Sequence, residues 1–403
     1  MTDKKYIITN YQGRIISCLM SHNRLLSVNA QTAYGGDIGN IYIAKVKNVV
    51  KNLNAAFVEI ADGELCYLSL EECQNPYLTN RDYDGRILQQ DEIVVQLSKE
   101  PVKTKEAVVT TNLSFSGKYA VVTVGDSRIG YSNKLTKRVK EEVKTYLSKH
   151  LPDFPYGVVI RTNVSELTDY DILIQEILTL KQRCDRIFTI AKTRTCFSVL
   201  EQVLPNYLLQ MRDMYVDMYD QIVTDDKEIY DQAKNYLLQY QPEDIGKLVF
   251  YEDTILPLTK LYALESKLNE ALSKHVWLKS GGYLVIEPTE ALTVIDVNSG
   301  KCTMKKNKED TFFLLNKEAA DEIALQLKLR NISGIVIIDF INMKEEEHKR
   351  QIVSYLTSVL KKDSIRTSVV GMTPLGLVEV TRKKVNKTLA EQLQAEPVNR
   401  QSV

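Results

Sequence analysis

The sequence predicts a multidomain α/β protein that carries a small β-barrel. Three observations lead there. Residues 281–362 alternate strand and helix, with GGYLVIEP and EALTVIDVN as strands, NKEAADEIALQLKLR as a helix, GIVIIDF as a strand and HKRQIVSYLTSVLKK as a helix. Residues 37–117 hold instead five or so short strands with turns between them, the pattern of a barrel of OB type. At 403 residues the chain is also too long for one ordinary hydrophobic core.

Taken in order, the first 36 residues give three short strands around 6–9, 14–19 and 24–28, separated by the turn pairs Gln12-Gly13 and His22-Asn23. Three such strands cannot stand alone. The barrel stretch follows as IGNIYIAKVKNVV, NAAFVEIA, ELCYLSL and DEIVVQLSKE. Phe57 and Tyr67 fall on neighbouring strands of it, where they either fill the core or offer a stacking face to unpaired bases. Residues 118–203 then read as strand KYAVVTV, helix KLTKRVKEEVKTYLSKHL, strand YGVVIRT and helix DYDILIQEILTLKQRCDRI. Residues 205–276 read as mostly helical and rich in tyrosine. In the last alternating region, the helix is expected to bury Ala320, Ile323, Ala324 and Leu327 and to show Lys317, Asp321, Lys328 and Arg330 to solvent.

Composition narrows the class. Hydrophobic residues make up 44% and charged residues 26%, and no apolar run approaches the roughly 18 residues of a membrane helix. MTDKKYIITN lacks a signal peptide's apolar stretch, so a cytoplasmic location with no membrane span is expected. Lysine plus arginine and aspartate plus glutamate balance at 52 each, although residues 99–149 (Lys105, Lys118 and Arg138 among them) and 361–387 are locally basic. The six cysteines form no CxxC pair and the four histidines show no metal-ligand spacing. Any metal should therefore be a hard ion held by oxygen.

The chemistry concentrates in two strand ends. TVIDVNSGK sets Asp296, with Asn298 after it, at the end of one apolar run, and GIVIIDFINM sets Asp339 at the end of the next. A strand, a helix and a strand in this order make a crossover between parallel strands, which puts both aspartates at the carboxyl edge of one sheet. Two carboxylates side by side repel unless a proton or cation intervenes, and Mg²⁺ takes one or two carboxylates while leaving room for water and phosphate. Taken singly, either aspartate reads as a turn former or helix cap.

Longer stretches carry a resemblance. SGGYLVIEPTEALTVIDVNSG and NKEAADEIALQLKLRNISGIVIIDFINM resemble the catalytic signature of the ribonuclease E/G family. GNIYIAKVKNVVKNLNAAFVEI, KEPVKTKEAVVTTNLSFSGKYAVV, VVIRTN and GMTPLGLVEVTRKKV are similar to further segments of that family in the same order. The resemblance implies an OB-fold RNA-binding domain over 37–117, inserted in a split RNase H-like subdomain (1–36 and 204–275), then a 5′-sensor subdomain at 118–203, a DNase I-like catalytic subdomain at 276–395 and a tail at 396–403. It implies a Mg²⁺-dependent endoribonuclease that cuts single-stranded RNA in rRNA or tRNA maturation or mRNA decay, leaving 5′-phosphate and 3′-hydroxyl ends and preferring 5′-monophosphorylated RNA. Asp296 and Asp339 become the metal ligands with Asn298 as catalytic neighbour. Arg161 and Thr162 grip the 5′-phosphate, and Phe57, Tyr67, Lys105 and Arg382 contact RNA. A noncatalytic RNA-binding protein acting in RNA maturation is the competing expectation.

Three departures from the family pattern are visible. The chain ends at AEQLQAEPVNRQSV without the family's zinc-binding cysteine motif, so a homo-oligomer stays open but no zinc-linked dimer is expected. The family's TKG is TKE at residues 104–106, and no long tail follows, which fits the shorter, ribonuclease G-like kind of member.

Overall fold

The computed structural model describes residues 3–32, 38–73, 75–99, 101, 106–125, 127–214, 218–253, 255–301, 308–363 and 365–394. They form two compact units, one from Gly35–Val216 and one from Met1–Tyr34 together with Asp217–Val403.

In the first unit, strands Ile41–Val50, Ala55–Ala61, Glu64–Ser69, Ala107–Thr110 and Glu92–Lys99 pair in that order, and the last returns to the first. The result is a closed five-strand barrel consistent with an OB fold, in which no strand of the ring is left with an unpaired edge. Alternation fills it: Ala44, Val46, Ala56, Val58, Cys66, Leu68 and Val95 point inward. Phe57 and Tyr67 alternate with those residues and so face outward, half-buried, rather than joining the core. The same unit holds a four-stranded sheet in the order Ile129–Tyr131, Gly157–Ile160, Ala120–Thr123, Ser114–Ser116. Helices Lys137–His150 and Asp171–Ala191 cover it, through Val143 and Leu147 on one and Leu173, Ile177 and Leu180 on the other. All four elements read from residues 118–203 are present. The two shortest strands, Ser114–Ser116 and Ile129–Tyr131, escape the sequence pattern.

In the second unit, the three N-terminal strands Lys4–Tyr11, Arg14–Ser21 and Arg24–Thr32 form an antiparallel meander. Its free edge is completed from far along the chain. Gln221–Thr224 pairs parallel with Lys4–Tyr11, and Leu248–Phe250 pairs parallel with Gln221–Thr224, joined across the helix Lys227–Tyr240. Residues 205–276 are thus less helical than their sequence suggests, because two strands of four and three residues carry too little pattern to be read locally.

The other sheet of this unit runs His275–Trp277, Tyr283–Pro288, Leu292–Asn298, Gly334–Asp339, Leu377–Arg382, Thr367–Met372. Helices Lys308–Leu329 and Glu346–Leu360 pack on one face, over Leu284, Ile286, Ile295, Val297, Val336 and Ile338. The first helix also meets the strand Arg24–Thr32 of the other sheet, and Arg24 pairs with Glu322 on it. Buried on two sides, this helix does not leave Arg330 in solvent as expected. Arg330 Nε donates to Gln326 Oε1 at 2.7 Å, and burial pulls its guanidinium down to about 10, against the opposing pull of Glu322. Among the described residues no helix is long and apolar enough to cross a membrane.

Arg382 requires a second correction. It was expected to contact RNA near the aspartates, yet it pairs with Gly334 at the start of the strand that ends in Asp339, about 17 Å away at the usual rise per residue. The residue is only 3% exposed. Its Nε donates to Asp363 Oδ2 at 2.7 Å and its terminal nitrogen to the Ile332 carbonyl at 2.8 Å. A buried guanidinium with these partners is a structural ion pair. Arg382→Ala should take the guanidinium from the buried Asp363 side chain, which keeps the Ile365 N–H at 3.0 Å, and so lower unfolding stability by about 3 kcal/mol in urea titrations, while Arg382→Met with Asp363→Leu recovers most of the loss. A weakened affinity for RNA at unchanged stability would return Arg382 to the RNA path.

Candidate active site

The strand Leu292–Asn298 buries Thr293, Ile295 and Val297 against the helices, so Val294, Asp296 and Asn298 face away from them. The strand Gly334–Asp339 does the same, burying Val336 and Ile338 and leaving Ile337 and Asp339 on the open face. The two strands are parallel neighbours, and their register pairs Asp296 directly with Asp339. Their Cα atoms therefore lie about 5 Å apart, with both carboxylates on one face. The Asp339 carboxyl is raised above the ordinary aspartate range, first by lost hydration and then by the charge of Asp296. Asn298 sits one pleat further on and donates from Nδ2 to Asp296 Oδ2 at 2.7 Å, which fixes that carboxylate.

Glycines hold the surroundings close. A Cβ on Gly282 would stand 2.9 Å from the Asn298 carbonyl oxygen and 2.9 Å from Leu315 Cδ1, and one on Gly300, where φ is +51°, would stand 2.5 Å from the Gly281 carbonyl oxygen. The turn at 278–282 is thereby pressed against the end of the strand that carries Asp296. On the other side, the segment following Asp339 is clamped by the helix Lys308–Leu329. Asn316, 0% exposed, donates to the Ile341 carbonyl at 2.8 Å and accepts from the Ile341 N–H at 3.0 Å. Glu309 accepts from the amides of Lys344 and Glu345 at 2.7 and 3.1 Å. Asn316 was not singled out from sequence, although a signal existed: it is a polar residue four positions before Ala320 on the helix's apolar stripe.

The family model of the ribonuclease E/G family matches residues 114–385. The chain belongs to the ribonuclease E/G family. It is 33% identical over 365 residues to a ribonuclease G of Salmonella typhimurium, covering 88% of this chain and 74% of that protein. A ribonuclease G of Haemophilus influenzae is likewise 33% identical over 366 residues, with 88% and 74% covered. A ribonuclease E of Synechocystis is 32% identical over 361 residues, and there the match spans 88% of this chain but 53% of the relative.

In this ribonuclease E/G family member, the other residues expected at the site fall in the unit Gly35–Val216. Phe57 and Tyr67 are cross-strand partners on the outside of the barrel, their rings 6.1 Å apart and edge to face at 79°. Lys105 lies outside the described residues. Arg161 follows the strand Gly157–Ile160, and its guanidinium is already engaged, donating to the Gly117 carbonyl at 2.5 Å and to Asp213 Oδ1 at 2.8 Å. Arg212 binds the same carboxylate at 2.8 Å. The Thr162 hydroxyl lies 2.9 Å from that of Ser132. Among the described residues no three His, Cys, Asp or Glu side chains gather into a metal cage.

Asn316→Ala removes the amide and leaves both Ile341 backbone groups without their partners. It should destabilise the protein by about 1–3 kcal/mol and speed hydrogen exchange at the Ile341 amide by about tenfold or more, as read by NMR. Unchanged exchange would show that the clamp holds nothing in place.

Proposed function

We propose that this chain, an endoribonuclease by its family, cuts single-stranded RNA with Mg²⁺ held at Asp296 and Asp339. The register pairing of those two aspartates on the open face carries the reading. The donor set fits the ion: two adjacent carboxylates, one of them raised by lost hydration and by the charge of the other, with an amide beside them and Asp339 exposed to solvent. Bound there, the ion would supply a water of lowered pKa and neutralise charge building on the phosphodiester. The protein's part is to fix Asp296 through Asn298, to hold Asp339 through the clamped segment behind it, and to present both to a substrate phosphate. In-line attack by water then leaves a 5′-phosphate and a 3′-hydroxyl.

The finer domain assignment belongs to the same proposal. The five-stranded sheet would be the split RNase H-like part, the sheet bearing the aspartates the DNase I-like catalytic part, and the segment around Arg161 the 5′-end sensor. Substrates would be cytoplasmic precursors of rRNA and tRNA, or mRNA in decay, with Phe57 and Tyr67 stacking unpaired bases. At the sensor, a terminal monophosphate offers a guanidinium two oxygens at once and a hydroxyl a third. Because Asp213 occupies Arg161, the phosphate would compete with that carboxylate.

Incubation of purified protein with labelled 5′-monophosphorylated single-stranded RNA should give internal cleavage that EDTA abolishes. Asp296→Asn and Asp339→Asn should each remove cleavage while leaving RNA affinity within a few fold, since most affinity comes from phosphate and stacking contacts elsewhere. Activity of either variant at the level of the unaltered protein would remove the metal assignment.

Arg161→Lys keeps the charge but loses the fork. It should slow cleavage of 5′-monophosphorylated RNA about tenfold or more, given roughly 1.5–3 kcal/mol for a charge-assisted hydrogen bond, and leave 5′-hydroxyl RNA unaffected. Equal slowing on both substrates would show that Arg161 does not sense the 5′ end.

A further inference from the structure

Trp277 is the only tryptophan of the chain, and it is 68% exposed. It ends the edge strand His275–Trp277, whose neighbour Leu278 already feeds the core. Packing therefore does not account for the indole. Trp277 pairs across the ladder with Tyr283, and Tyr283 pairs with Asn298. Cross-strand partners share a face, so Trp277, Tyr283 and Asn298 form one row, one pleat from the row of Val285, Asp296 and Asp339. The rings of Trp277 and Tyr283 lie 5.2 Å apart at 52°, and His275, two residues back on the same face, lies 5.9 Å from Tyr283.

The position is also rigid. Leu278 N–H donates to the Gly282 carbonyl at 2.8 Å, and Lys301 N–H donates to the Gly281 carbonyl at 3.1 Å, which ties the turn after Trp277 to the segment after Asn298. Lys279 in that turn and Lys301 beyond it are both exposed. An aromatic face two strands from the catalytic strand, about 10 Å across the sheet, with exposed lysines in the segments that adjoin it, matches the needs of a single-stranded polynucleotide: a flat partner for a base and positive charge for its phosphates.

We propose that Trp277, backed by Tyr283, is a stacking platform for a base of the RNA strand next to the phosphate that an ion at Asp296 and Asp339 would hold. The proposal rests on the function proposed above. Stacking of this kind accepts any base, since every base has a π-face. It contributes to binding in the ground state and the transition state alike, so its loss appears in KM rather than in kcat.

Because the tryptophan is unique, its fluorescence reports on this position alone. In the Asp339→Asn protein with EDTA, a short single-stranded oligouridylate should quench the emission saturably, and an abasic oligomer of the same length should not. Trp277→Ala should raise KM for RNA cleavage about fivefold or more with kcat little changed, and Trp277→Phe should restore most of the loss. Bound RNA, seen by anisotropy of a label on it, without any quench would overturn the platform. So would equal quenching by the abasic oligomer, or an emission shift that follows protein concentration without RNA, which would mean that a second copy of the chain covers the indole. If the unaltered protein cuts no RNA, the proposed function fails, and the quench still decides for or against the platform.

Discussion

The pairing of Asp296 with Asp339 is the constraint on which the rest of this structure turns. Two parallel strands put like charges side by side only if the register is held to the residue, since a slip by one would send a carboxylate into the helix-packed face and Ile295 or Ile338 into water. The fold answers with redundancy. Ile295, Val297, Val336 and Ile338 fix which face is inward, Asn316 holds the backbone just past Asp339, and Gly282 and Gly300 let a turn close against the other strand end. Each device is ordinary; together they oppose the repulsion that the carboxylates bring.

The helix Lys308–Leu329 does two jobs for this arrangement. Its apolar stripe of Leu315, Ala319, Ala320, Ile323 and Leu327 covers the sheet of the aspartates. Its opposite side lies against the strand Arg24–Thr32, where Leu329 joins the apolar cluster of Leu25 and Ala30 and a polar row of Glu322, Gln326 and Arg330 at i, i+4 spacing has Arg24 reaching in. Gln326 donates to Glu322 Oε1 at 2.8 Å and accepts from Arg330 Nε, which chains the three side chains along the helix, while the buried Arg330 Nη2 finds no hydrogen-bond partner among the described residues.

Much of this was legible in the sequence because it is periodic or local. The two strand-end aspartates, the closed barrel and the helices of residues 118–203 follow from alternation and turn residues, and Phe57 with Tyr67 was correctly read as a neighbouring pair. The residues that misled did so through long-range context. Arg382 sits in a basic run, EVTRKK, and nothing local says that Asp363 and the Ile332 carbonyl will enclose it. Arg330 looked solvent-facing because the helix's second face is polar, and polarity was equated with exposure. Gln221–Thr224 is a strand only because a partner more than two hundred residues away supplies its ladder, and Leu248–Phe250 only because it pairs in turn with Gln221–Thr224.

That remote ladder bears on how the chain emerges from the ribosome. The barrel and its companion sheet use residues from one continuous stretch, Gly35–Val216, and can fold as soon as it is out. The meander before them cannot. Its strands end at Thr32 and wait for Gln221–Thr224, roughly 190 residues later, which at ordinary synthesis rates is on the order of ten to forty seconds. Through that interval Ile7, Ile16 and Met20 lack the helices that cover them, and the edge of Lys4–Tyr11 is open to any passing strand. The nascent chain is thus most exposed to misassembly in one defined window, after the inserted unit has folded and before the first strands are met by their distant partners.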